Sequence, residues 1–199
     1  MASRSAAGME EPAKRSPLES ETPKRRGLLV HALLARLPEM AAADRTAIAR
    51  RFLKARGVAD DEAADLIAQT LAVIDHPDFA EAFAQDSRAE VSLVADLPEI
   101  GAAARVHGRV DRLAISDARV LIVDFKTGKP AARESDVPRL YATQMALYRA
   151  AAARIFPDRR IACALVWTEG PSLLPLSAAL LEAETIRIRT RLDPGGAGT

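Results

Sequence analysis

The sequence contains one cysteine, Cys163, in 199 residues. A single thiol cannot form an intrachain disulfide, and it cannot supply the four cysteines of an iron–sulfur cluster or of an all-cysteine zinc site. The chain also lacks a run of about 18 apolar residues, the length that a membrane-spanning helix needs. Its N-terminus is polar and charged, without the apolar stretch of a secretion signal. These absences predict a protein of the reducing cytoplasm.

The chain has almost no net charge, but its charges are unevenly distributed. The formal net charge is +1 at pH 7. Residues 60–99 contain eleven Asp and Glu and a single basic residue, Arg88, whereas residues 129–160 contain seven Lys and Arg and three acids. Such a division favours binding of a polyanion at one face of the protein. The alternative is that both segments form ordinary solvated surfaces.

The two ends of the chain differ in composition from the rest. Residues 1–26 are rich in Ser, Pro and charge and show no apolar periodicity, which predicts a disordered tail or a linker. Residues 193–199 predict a frayed C-terminus. Between them, residues 27–192 are expected to form one domain, with a helical segment over residues 27–86 and a core over residues 88–192.

The pattern of the core segment predicts an α/β fold. Residues 88–96, 104–115 and 119–126 have the features of three successive strands, with a hairpin-sized loop between the last two. The "VLIV" run in the third strand has no polar side, which predicts a central strand covered on both faces. A long helix over residues 139–157, strands near residues 160–168 and 172–176, and a final helix follow. We therefore expect a mixed sheet flanked by helices.

The third strand ends in an unusual polar group, Asp124-Phe125-Lys126. Because residues two apart in a strand share a face, Asp124 and Lys126 should point the same way. The short loop between the second and third strands predicts that Asp111 lies nearly opposite Asp124. Two adjacent carboxylates repel unless a cation such as Mg²⁺ or Mn²⁺ lies between them, and Lys126 would lie beside that cation. The alternative is a structural salt bridge from Asp124 to Lys126 or Arg112.

Three further polar positions are candidates with ordinary alternatives. Gln144 and Tyr148 are four residues apart on the long helix and share a face, on a helix expected to bury Leu140, Met145 and Leu147. That face is predicted to look onto the polar strand end, or else to be a half-exposed edge with Tyr141. His31 on an apolar helix is more typical of a core histidine. Glu90 at a strand start is more typical of a surface acid.

Five blocks taken together carry a family resemblance: "GLLVH", "AEVSL", "GRVDR", "VDFKTG" and "YATQMALY". In this order they resemble the RecB-type nucleases of the PD-(D/E)XK superfamily. Within it they are most similar to the C-terminal nuclease domain of the AddA helicase–nucleases of AddAB double-strand-break repair complexes, in their alphaproteobacterial form. The resemblance runs from about residue 26 to about residue 181. Each block alone is weak evidence for the family, whereas the five blocks in this order are specific to it.

The resemblance implies a restriction-endonuclease-like core and a Mg²⁺-dependent or Mn²⁺-dependent DNA nuclease that takes part in repair by homologous recombination. It implies metal ligation by His31, Asp111, Asp124 and the backbone carbonyl of Phe125. Lys126 would be the catalytic lysine. The supporting residues that it implies are Gln144, Tyr148 and, on the first strand, Glu90. It also implies an AddB-like partner subunit and a helicase motor.

The sequence departs from that family in one respect. It has no GxxxxGK[ST] phosphate-binding loop, so we expect neither ATP hydrolysis by that route nor DNA unwinding. The chain is then expected to be an excised domain or a protein without its motor. Related nucleases with four cysteines around an iron–sulfur cluster are excluded by the single cysteine. Open alternatives are a catalytically silent scaffold of the same fold, a nuclease with another substrate, and a plain α/β domain.

Overall fold

The computed structural model describes the backbone of residues 17–192 and the side chains of residues 23–192. In this range none of the helices has the length and apolar character needed to cross a lipid bilayer. The elements are, in chain order, α1 Pro17–Arg36, α2 Arg45–Lys54, α3 Asp60–Ile74, β1 Ser87–Asp96, β2 Arg105–Ile115, β3 Arg119–Lys126, α4 Arg139–Ile155, β4 Arg160–Trp167, β5 Ser172–Leu176 and α5 Ala178–Leu192. A 3-10 segment, Pro77–Phe83, connects α3 to β1.

Helix α1 begins at Pro17 and thus includes residues 17–26, which we predicted to be a disordered tail or linker. Proline suits the first turn of a helix, because its missing N–H would have no intrahelical partner there. The Ser-, Pro- and charge-rich composition concealed this start. Residues 1–16 and 193–199 lie outside the described residues, and the predicted domain boundaries at residues 27, 88 and 192 stay predictions.

The five strands form one mixed sheet in the order β1-β2-β3-β4-β5. Strand β3 is central, as the apolar "VLIV" run predicted. It pairs antiparallel with β2 and parallel with β4, and α4 makes the crossover between β3 and β4. The predicted α/β class and the mixed sheet flanked by helices are therefore confirmed.

Each face of the sheet supports its own apolar core. Val123 and Phe125 of β3 face α1, α2 and α3 in one core, while Ile122 packs with Met145 of α4 and with α5 residues in the other. Cys163 is buried in the second core, and burial raises the pKa of its thiol to about 12. This thiol therefore cannot serve as a thiolate nucleophile.

Strand β2 changes character near its middle. Its pairing with β3 ends at Arg112 opposite Val123, and the preceding residues form an arm that pairs only with β1. Val110 and Leu113 pack into the same core although they are three residues apart, so the alternation of faces breaks between them. Across the ribbon, Glu90 has a φ of 55°, which non-glycine residues seldom adopt. The ribbon therefore kinks where the polar strand end lies.

Candidate active site

Asp124 and Lys126 lie side by side at the C-terminal end of β3. Their side chains are 4% and 13% exposed, and the Lys126 ammonium contacts Asp124 Oδ2. The shared face follows from strand alternation, and it was predicted from the sequence. The strand ends there because Gly128 takes a φ of 89°, which turns the chain away.

Asp111 meets β3 where the β2–β3 ladder stops. Its Oδ2 accepts a hydrogen bond of 2.8 Å from the backbone N–H of Phe125. The same oxygen lies 3.5 Å from Nδ1 of His31 on α1. The Asp111 side chain thus accepts the hydrogen bond from the Phe125 N–H that a backbone carbonyl of β2 would accept if the ladder continued. The structure brings Asp111, Asp124 and Lys126 together, as the strand pattern predicted, and it adds His31, which only the family resemblance placed with them.

The surroundings of the Asp124 carboxyl disfavour its ionised form. Burial, followed by the charge of Asp111, raises its pKa from 3.8 to about 6, although the charge and hydrogen bonding of Lys126 and the charge of His31 act in the opposite direction. The Lys126 ammonium is in direct contact with its buried Oδ2. Burial and the negative charge of Asp111 are therefore what raise the pKa of this carboxyl. A buried carboxylate held this way is a common feature of functional sites.

His31 responds to the same two carboxylates. Burial lowers its pKa, but the hydrogen bond and charge of Asp111 and the charge of Asp124 outweigh burial, so the net pKa is raised above 6.5. Its ring also meets Phe125 edge-on, with ring centroids 6.1 Å apart. His31 is therefore a polar member of this cluster and not a core histidine without polar contacts.

A chain of hydrogen bonds holds Lys126 from the α4 side. Lys126 Nζ donates to Gln144 Oε1 at 3.1 Å, and Gln144 Nε2 donates to the Tyr148 hydroxyl at 3.2 Å. The Tyr141 ring lies beneath the ammonium, with its centroid 4.0 Å from Nζ. The prediction that this face of α4 looks onto the polar strand end is confirmed.

The chain of hydrogen bonds ends on the β2 arm. The Tyr148 hydroxyl donates to the carbonyl of Arg109 at 2.9 Å, on the part of β2 that has no β3 partner. Gly108 allows this approach, because a Cβ on it would lie 2.4 Å from Tyr148 Cε1. Tyr148 thus supplies the hydrogen bond that a neighbouring strand would have provided.

Glu90 is not brought into this cluster. In the β1–β2 register it lies opposite Asp111, since its neighbours pair as Ala89 with Arg112 and Val91 with Val110. Its carboxylate nevertheless accepts a 3.0 Å hydrogen bond from Arg109 at the surface. A catalytic role for Glu90 stays a prediction, and the structure gives its carboxylate a surface partner instead.

Two expectations about α4 need correction. Leu140 and Leu147 were expected to be buried, yet Leu140 is 74% exposed and Leu147 is half-buried, because both lie on the helix face of Thr143 and not on the face of the buried Met145. The basic segment over residues 129–160 does not form one surface. It spans the whole of α4, which at a rise of about 1.5 Å per residue is roughly 25 Å long, so Arg154 lies at the end away from Lys126.

Comparison with protein families finds a match to the PD-(D/E)XK nuclease superfamily over residues 3–184. The chain belongs to the PD-(D/E)XK nuclease superfamily. Its fold is similar to the crystal structure of a candidate exonuclease from Eubacterium rectale, with a TM-score of 0.57 and 11% identity over 92% of this chain and 68% of that one. A structure of the protein SSO0001 aligns at a TM-score of 0.33 and 14% identity over 80% of this chain and 74% of that one, too distantly to carry an argument. No curated protein sequence matches the chain.

Nucleases of the PD-(D/E)XK superfamily generally use divalent metal ions, and the donors here suit such an ion. Two carboxylates and an imidazole meet at one place, and the carboxylate of Asp124 is buried there. Hard divalent cations prefer such oxygen ligands. Within residues 23–192, however, no three His, Cys, Asp or Glu side chains already have metal-coordinating spacing. Asp124 contacts Lys126, and Asp111 accepts a hydrogen bond from the Phe125 N–H. The chemical types of these donors therefore suit a divalent ion, while the set of metal ligands stays a prediction.

Sequence reasoning missed several residues that build the PD-(D/E)XK site. Arg112 is buried and binds Ser87 Oγ at 2.7 Å and the Ala82 carbonyl at 3.1 Å, which fixes the strand next to Asp111. Tyr141 was considered only as an aromatic of a half-exposed edge, and its contact with the Lys126 ammonium was missed, although it lies three residues before Gln144 on the same helix face. The role of Gly108 had no signal in the sequence alone, since it depends on where Tyr148 packs.

Proposed function

We propose that the chain is a Mg²⁺-dependent or Mn²⁺-dependent deoxyribonuclease that hydrolyses phosphodiester bonds in single-stranded DNA. Membership of the PD-(D/E)XK superfamily supports nuclease activity. The observation that carries the proposal is the buried Asp124 carboxylate, which lies beside the second carboxylate of Asp111 and the ammonium of Lys126.

Burial separates this arrangement from an ordinary salt bridge. A surface pair of Asp and Lys leaves both groups hydrated and contributes little. Here Asp124 is desolvated next to a second carboxylate, and its pKa rises to about 6. Such an arrangement opposes the ionised form of the carboxyl, and a bound cation would relieve it.

In the proposed reaction, different residues would bind the metal, stabilise charge and position Lys126. Asp111, Asp124, His31 and the Phe125 carbonyl would hold the metal, which when bound supplies Lewis-acid chemistry and lowers the pKa of a water. Lys126 would place its ammonium against charge that develops on the phosphate oxygens. Gln144 and Tyr148 would keep Lys126 in position through the hydrogen bonds described above.

The finer assignment follows the sequence resemblance. The order of the five blocks supports an AddA-type nuclease that acts in double-strand-break repair by homologous recombination. In that setting a helicase motor and an AddB-like subunit would deliver the DNA strand. Because the sequence lacks a GxxxxGK[ST] loop, the motor would be supplied from elsewhere.

The experiment is cleavage of end-labelled DNA by the full chain with Mg²⁺, with Mn²⁺ and with EDTA, beside an Asp124→Ala variant. Parallel reactions with duplex DNA and with RNA identify the substrate. We expect metal-dependent cleavage of single-stranded DNA that the variant loses. Cleavage that persists in EDTA or in the Asp124→Ala variant would contradict the proposal. Absence of both cleavage and metal binding in the wild-type chain would favour a silent scaffold.

A further inference from the structure

Two adjoining cavities lie on either side of the first turns of α4. One, of about 490 Å³, lies between α4 and the β2 arm, and the other, of about 480 Å³, lies between α4 and the end of α5. Both are lined by Leu140 and Thr143, so they adjoin and form one surface in which the exposed Leu140 projects between the two cavities. We call this surface the α4 groove.

The lining of the α4 groove is largely apolar. Leu140, which is 74% exposed, projects between the two cavities, and Leu147, Val106 and Ile188 line them. Several aliphatic side chains grouped on one surface, unlike a single exposed leucine, are typical of an interaction site. The groove would therefore accept flat or apolar groups such as nucleobases.

The rim of the α4 groove is basic. It includes Arg105, Arg139, Arg187 and Arg191, and among the described residues no Asp or Glu lines either cavity. Arg105 pairs with Asp96, and Arg139 and Arg187 share Glu184, so four arginines face two carboxylates. The surplus positive charge suits a polyanionic occupant.

The α4 groove is continuous with the candidate active site. Gln144 and Tyr148 line its first cavity, and they are the same side chains that link Lys126 to the Arg109 carbonyl. A strand whose phosphate reaches Lys126 would therefore extend directly along the groove. This continuity favours a substrate strand over an unrelated protein partner.

We propose that the α4 groove binds the single-stranded DNA segment that flanks the scissile phosphate, with bases against Leu140 and phosphates at the arginine rim. The inference rests on the proposed nuclease function and adds where the substrate lies. Bases can stack on this apolar lining only when they are not paired in a duplex, so the groove favours single strands. Phosphate contacts at the rim make the binding dependent on salt.

The test is fluorescence anisotropy of a labelled single-stranded oligonucleotide with the full chain in EDTA, which measures binding without cleavage. The groove variants are Leu140→Glu and Arg191→Gln. Their matched controls are Ile155→Glu and Arg154→Gln, at the other end of α4, where Ile155 is 44% exposed. Thermal unfolding of all four variants checks that each one folds.

We expect Leu140→Glu to weaken Kd by about tenfold or more, because it puts a negative charge under the bases. Arg191→Gln should reduce the slope of log K against log salt by roughly 0.7. The two controls should bind as the wild-type chain does. Equal effects in groove and control variants, equal affinity for duplex, or no binding of DNA by the wild-type chain would each overturn the proposal, and the last result would leave the surface to a protein partner.

The binding assay separates this inference from the proposed function. Groove-dependent binding without cleavage in the metal assay would contradict the nuclease and leave the groove standing. Cleavage that Leu140→Glu leaves unchanged, together with unchanged binding, would contradict the groove and leave the nuclease standing.

Discussion

The two ends of strand β3 each carry an ion pair, and the pairs differ in their access to water. At the start of the strand, Arg119 pairs with Glu81, and the side chains are 36% and 39% exposed. At its end, Lys126 pairs with Asp124, and the side chains are 13% and 4% exposed. One strand with one register thus presents the same kind of pair in two environments.

The comparison shows how burial changes what an ion pair can do. A half-exposed pair exchanges water contacts for ionic ones and contributes little. At the other end, Tyr141 and Gln144 of α4 and the second carboxylate of Asp111 surround the charges. There burial and the charge of Asp111 raise the pKa of Asp124, so the ionised carboxylate is disfavoured unless a positive charge lies beside it.

The largest contrast should come from neutralising the basic member of each pair. Lys126→Met should lower the rate of DNA cleavage by about 10²–10³-fold, since a positioned charge on the transition state contributes that much. Arg119→Met should change the rate less than about threefold, because an exposed pair far from the reaction contributes little. Single-turnover cleavage rates of both variants measure this. Equal losses of cleavage rate in the two variants would contradict the distinction between the buried and the exposed end of β3.

Gly108→Ala tests the support of the buried end. A Cβ 2.4 Å from Tyr148 Cε1 must displace that ring, which we expect to cost about 1–3 kcal/mol in the free energy of unfolding and to slow cleavage. Gly101→Ala is the control, because its nearest contacts would be an ordinary 3.7 Å. Urea denaturation and cleavage rates measure both effects. If the two variants behave alike, the Tyr148 contact does not position Lys126.

Asp124→Asn should stabilise the metal-free chain near pH 8. The native pKa of about 6 lies above the ordinary 3.8, so the native state keeps a proton that the unfolded chain loses. Wild-type stability therefore falls as pH rises from about 4 to 6, and Asn avoids that loss of roughly 1–3 kcal/mol. Denaturation at several pH values measures it, and the gain should vanish near pH 4. Asp117→Asn, in an exposed loop, is the control, and an equal gain there would refute the explanation.

The smallest effect should come from the exposed end. Glu81→Gln should lower the free energy of unfolding by less than about 1 kcal/mol, and salt should reduce the difference further. Denaturation at low and high salt measures it. A loss as large as that expected for Gly108→Ala would mean that the start of β3 is not an ordinary surface.

Much of the fold could be predicted because it depends on local patterns. The apolar "VLIV" run predicted a central strand, and the short loop predicted that Asp111 and Asp124 would be neighbours. Period-two alternation predicted the shared face of Asp124 and Lys126. Composition was a poorer guide to the start of α1, where Ser, Pro and charge suggested disorder.

The rest of the site depends on contacts between elements that no local pattern encodes. The kink at Glu90 and the break of alternation between Val110 and Leu113 arise only when the β1–β2 arm leaves the sheet. The close packing of the Tyr148 ring against Gly108 depends on how α4 crosses the β1–β2 arm. Leu140 was misjudged because apolar character alone does not show which face of α4 packs on the sheet, and the buried face turned out to be that of Ala142 and Met145.

The most direct test of the buried pair is calorimetric titration of Mn²⁺ into the metal-free wild-type chain and into the Asp124→Asn variant near pH 8. We expect the wild-type chain to bind the ion, and we expect the variant to lose this binding while remaining folded. Equal binding by both chains would contradict the central claim that the Asp124 carboxylate is held at the end of β3 to meet a cation. Absence of binding by the wild-type chain would contradict it as well.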